Sequence, residues 1–101
     1  METDELVGWL VGRLPDDWFS GGPQVRVDRD EIIVVGPLAA PELAKDASDV
    51  TKAAAMASRV EAFREETRGT RMEIAEAAQH RFRRTVSWGV SIGGEEHLFT
   101  T

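Results

Sequence analysis

With 101 residues and no cysteine, the chain has room for one modest core but none for a disulfide framework, a thiolate metal site or a cysteine nucleophile. Its 42% hydrophobic and 30% charged residues describe a folded domain, not a disordered segment. The net charge of −6 argues against a general affinity for nucleic acid, yet it is unevenly placed: residues 1–50 set four Lys/Arg against eleven Asp/Glu, and residues 51–101 set eight against seven.

At the N-terminus, Thr3 stands before Asp4 and Glu5, and Leu6, Val7, Leu10, Val11 and Leu14 follow at helical spacing. A helix capped by Thr3 and stopped by Pro15 is expected. Its apolar run LVGWLVGRL is too short to span a bilayer and has neither a basic flank nor a cleavage site, so no targeting signal or membrane span is read from it. Gly8 and Gly12 then mark close helix packing. Together with the lack of cysteine, this predicts a cytoplasmic protein.

PDDWFSGGP is a loop by composition, with Trp18 and Phe19 read as a plug over the core. QVRV and IIVV flank DRDE, which predicts a hairpin with Arg29-Asp30 at its tip. Ile32 to Val35 are apolar at every position, the pattern of a central strand.

A long helical pattern starts at Ser48, a capping residue, and carries Ala53, Met56, Val60 and Phe63 on one face. After Gly69 it resumes with Met72, Ala75, Ala78 and Phe82. Unbroken over residues 48–84, this rod would reach about 55 Å at ~1.5 Å per residue. A lone domain with a radius of gyration near ~13 Å does not cover such a rod. Either the helix breaks at Gly69 or a second molecule covers part of it. The segment TVSWGVSI then alternates as a half-buried strand, Gly93-Gly94 makes a turn, and EEHLFTT returns; a two-residue turn places Trp88 opposite Phe99.

The expected fold is therefore one α+β domain over residues 1–101. It is a two-layer αββ–αββ arrangement with a short N-terminal helix, a long central helix and an antiparallel four-stranded sheet.

Several motifs bear on chemistry. GVSIG matches the nucleophile-elbow pattern literally, but Ser91 falls inside a strand and is followed by a turn, not a helix. Glu73, Glu76 and His80 share a helix face without a third strong ligand, the pattern of a solvated surface. No Gly-rich phosphate loop opens a helix, so no metal, cofactor or catalytic residue is expected. The arginines are the stronger signal: seven occur between residues 59 and 84, with no lysine. Arg64, Arg68 and Arg71 fall on one helical stripe, and Arg81, Arg83 and Arg84 cluster where the helix dipole favours positive charge. Glu61 and Glu65 neutralise part of the stripe.

The string REETRGTRMEIAEAAQHRFRRTVSWGV with its trailing LFT resembles a recurrent segment, over residues 64–100, of small uncharacterised actinobacterial proteins. The resemblance implies a regulator-like protein, because longer relatives continue into a segment similar to a ribbon-helix-helix DNA-binding unit. It also implies that these residues are the dimerising or partner-binding portion. The sequence thus predicts a non-enzymatic regulatory module, a homodimer built on the long helix and the C-terminal hairpin. Arg64, Arg68, Arg71, Arg81, Arg83 and Arg84 would face a protein partner. The alternative is nucleic-acid binding through the same arginines.

Overall fold

The computed structural model describes residues 2–99, which form two helices and a four-stranded sheet. Helix α1 runs Glu2–Arg13 and helix α2 runs Asp49–Phe82. The strands are β1 (Gln24–Val27), β2 (Glu31–Pro37), β3 (Thr85–Ile92) and β4 (Glu95–Phe99). The α+β class and the αββ–αββ order are as the sequence implies.

Helix α1 starts before Thr3, which therefore sits within the acidic first turn with Glu2, Asp4 and Glu5, not at the cap. Leu6 and Leu10, spaced four apart, are its buried edge, and Leu14, just past its end, is buried in line with them. Beyond Pro15, Trp18 drops into the core with its ring 5.7 Å from Phe63 and 5.9 Å from Trp88, and Phe19 lies 5.5 Å from Phe63. The plug thus closes one end of the layer between helix and sheet. Phe19 also lies flat on Gly36, where any side chain would collide with its ring.

The β1–β2 hairpin turns at Arg29-Asp30. The Asp28 carboxylate accepts the main-chain N–H groups of Asp30 at 3.0 Å and Glu31 at 2.9 Å, which holds the turn without a glycine. In the second hairpin Gly93 and Gly94 both adopt positive φ, 57° and 82°, a two-residue turn that suits the strand twist. Trp88 accordingly pairs with Phe99.

The sheet order is β1-β2-β3-β4. Its outer pairs are antiparallel, but the central pair is parallel, with Ile32 beside Val86 and Val34 beside Trp88. The expected all-antiparallel sheet is corrected here to a mixed one. The reason lies in the connection: α2 carries the chain back along the sheet before β3 begins, so β3 starts at the same end as β2.

Val25, Val27, Ile32, Val34, Val86, Trp88, Val90 and Phe99 share the core with both helices. By alternation and register, the other face carries Arg26, Ile33, Val35, Ser87, Gly89, Glu96 and Leu98. Arg26 on β1 crosses that face to grip the Glu96 carboxylate on β4, with Nη2 at 2.7 Å and Nη1 at 3.2 Å.

Helix α2 begins as read: Ser48 is its N-cap, accepting the Thr51 N–H at 3.1 Å. It does not break at Gly69. Its 34 residues run unbroken, about 51 Å at ~1.5 Å per residue. The molecule measures 49 × 24 × 22 Å with a radius of gyration of 14.9 Å, above the ~13 Å of a compact domain this size. A side-chain brace explains the continuity. Arg71 Nε donates to Thr67 Oγ1 at 2.9 Å, and Nη2 donates to the Arg64 carbonyl at 2.8 Å, so the contacts straddle the glycine.

Candidate partner-binding surface

The six arginines do not form one surface. Arg71 is buried, 1% exposed, on the core-facing stripe Phe63, Thr67, Arg71, Ile74, Ala78. Besides its two hydrogen bonds, its guanidinium lies 4.9 Å over the Phe99 ring, and Nη1 has no acceptor. Burial, with Arg64 and Arg68 nearby, lowers its pKa below the ordinary arginine value. It is a structural residue, and its role as a partner contact is corrected. The signal was present in the four-, four-, three- and four-residue steps of that stripe, which a positive charge alone disguised.

Arg64 leans onto the same ring, its guanidinium carbon 4.9 Å from the Phe99 centroid, so Phe99 serves two cations from one end of β4. Arg68 stays outside. With Glu61, Arg64 and Glu65 it lines a shallow groove of about 330 Å³ on the exposed flank of α2.

The second cluster separates at the helix end. Arg81 lies 3.8 Å from Glu5 of α1 and stacks over Phe82. Arg83 forms the C-cap in the left-handed region, φ 59°, its N–H donating to the Gln79 carbonyl at 3.0 Å. Arg84 folds inward: Nε donates to the Asp28 carbonyl at 2.8 Å, and Nη2 reaches Glu2 at 3.3 Å. It ties the end of α2 to the β1–β2 turn and the start of α1.

The sequence reading missed a hollow of about 590 Å³ between α2 and the loops holding Trp18, Phe19 and Leu38. Phe63 and Thr67 form part of its wall; Arg59, donating to the Ala39 carbonyl at 2.9 Å, holds one edge. Trp18-Phe19 was the available clue, but their packing fixes the hollow only once α2 lies across the loop. Ser91 pairs with Glu96 inside the β3–β4 ladder, and its carbonyl accepts the Leu38 N–H at 2.8 Å, the geometry of a strand residue, not a strained nucleophile turn. Among the described residues no three His, Asp or Glu side chains converge as a metal-binding group. Among the described residues no helix is long and apolar enough to cross a membrane.

The two parts of α2 differ sharply in cover. Every fully buried residue of the helix lies from Phe63 onward. Between Asp49 and Ala62 the best-covered side chains, among them Met56 and Val60, are only half-buried, and Val50 is 79% exposed. Further along, Met72 is 54% exposed on the outer flank, not on the apolar face the sequence suggested.

A family described as "Rv1265-like protein, N-terminal domain" matches residues 4–98. The uncharacterized proteins Rv1265 and MT1303 of two Mycobacterium tuberculosis strains (H37Rv and CDC 1551), and Mb1296 of Mycobacterium bovis, are each 53% identical over 92 residues. The aligned segment covers 91% of this chain and 39% of each relative, so the chain spans about two fifths of their length. No solved structure matches.

Proposed function

We propose that this chain, which belongs to the Rv1265-like N-terminal domain family over residues 4–98, is a non-enzymatic interaction module of a regulator, acting as a homodimer through its long central helix. The observation that carries this reading is the unbroken 34-residue α2, whose first part extends beyond what its own sheet and loops bury. A single copy leaves that length in water. A second surface laid along it would cover the alanine-rich start and the Met72 flank.

The hairpin serves this reading as a support: Trp88, 2% exposed, and Phe99 anchor the helix to the sheet. The nucleic-acid alternative draws less support. Arg71 is inside, Arg84 is engaged by Asp28 and Glu2, and Arg64 and Arg68 alternate with Glu61 and Glu65. A phosphate backbone needs several free cations on one face.

Sedimentation equilibrium across micromolar concentrations tests the proposal. A mass of twice the chain is expected, and monomer alone at every concentration would overturn it. In a parallel titration at low salt, no retarded nucleic-acid species is expected.

A further inference from the structure

The exposed flank of α2 carries a charge order that reads Glu61, Arg64, Glu65, Arg68. Like charges stand four apart on it, Glu61 with Glu65 and Arg64 with Arg68, the spacing at which they repel within one helix. Among the described residues, no intrachain ion pair holds Glu61, Glu65 or Arg68. Reversing the direction of the helix turns this minus-plus-minus-plus order into its complement.

We infer that two copies pair antiparallel along α2, about a two-fold axis lying between Arg64 and Glu65. This rests on the self-association proposed above and specifies its geometry. In that register Glu61 of each copy faces Arg68 of the other, and Arg64 faces Glu65. The axis falls one residue from the midpoint of Asp49–Phe82, so the two rods overlap almost completely. A two-fold interface must be self-complementary in this way. A parallel pair would instead set Glu61 on Glu61 and Arg68 on Arg68.

The apolar residues of the flank fit the same register. Ala57 meets Met72, and Ala54 meets Ala75. The small alanines permit the ~8–10 Å approach of packed helices. Met72 and Val50, two of the exposed large apolar side chains, both gain cover. The core stripe of Phe63, Ile74 and Ala78 faces the sheet, on a different side of the helix from this flank.

The absence of native cysteine permits a direct test on the full chain. Chains carrying Ala57→Cys and Met72→Cys, mixed under mild oxidation, form a disulfide-linked dimer between the two positions. Either chain alone does not, because the like residues then sit about 22 Å apart along the axis at ~1.5 Å per residue. In a second arm, Glu61→Lys with Glu65→Lys, or Arg64→Glu with Arg68→Glu, weakens self-association by about tenfold or more, and mixing the two chains restores it. The restored mixture also shows that each variant folds. A native dimer that neither cross-links in this pattern nor responds to charge reversal overturns the register while leaving self-association intact. A native monomer at all concentrations overturns both.

Discussion

The two ends of α2 are helical for different physical reasons. From Phe63 to Ala78 the helix buries a residue at nearly every turn against the sheet, and tertiary packing holds it in place. From Asp49 to Ala62 the stretch DVTKAAAMASRVEA is alanine-rich and capped by Ser48, and local propensity carries it with little cover. A segment of that length is marginal alone in water, so it relies on propagation from the anchored part. The contrast separates two requirements that are easily merged: what makes a segment helical, and what shelters it.

The largest expected effect breaks the anchored end. Phe63→Ala removes the ring that meets Trp18, Phe19 and Phe99. Denaturant unfolding should show a loss of about 3–5 kcal/mol. A loss no greater than that of a surface substitution would mean that both ends of the helix are held alike.

Arg71 sharpens the same comparison, because it is a charge on the packed side. Arg71→Ala should cost about 1–2 kcal/mol through lost packing on Phe99 and a broken brace over Gly69. Arg71→Met, which keeps the bulk and removes a buried charge without a carboxylate partner, should change stability by less than about 1 kcal/mol. Equal losses in both would place the stabilisation in the hydrogen bonds, not the packing.

The smallest effect has the opposite sign. Gly69 is exposed, and nothing lies within 4 Å of where a Cβ would sit. Gly69→Ala should therefore stabilise the fold by about 0.5–1 kcal/mol, read as a raised melting temperature. A decrease would show that the junction between the two parts needs the flexibility of glycine.

Much of this architecture was legible because its determinants are local. Ser48 caps the helix next to it, Gly93-Gly94 sets the turn that aligns Trp88 with Phe99, and the apolar run Ile32 to Val35 marks a central strand. The parallel join of β2 and β3 was not legible, since it depends on where a long crossover returns the chain. The continuity at Gly69 was hidden for a related reason: its brace links side chains on both sides of the glycine. Of the six arginines, spacing alone located the flank shared by Arg64 and Arg68. It did not show Arg71 inside or Arg84 turned toward Asp28, because sequence spacing does not reveal which neighbour arrives from another element.

The parallel seam at the centre of the sheet also bears on how the chain reaches its native state. Each hairpin joins strands adjacent in sequence and can zip on its own, whereas Val34 meets Trp88 only after all of α2 has been traversed. Closing that long loop carries an entropic penalty that neither hairpin faces. The merging of the two αββ halves is thus the step expected to be slow, and substitutions along this seam should retard refolding more than substitutions at either turn.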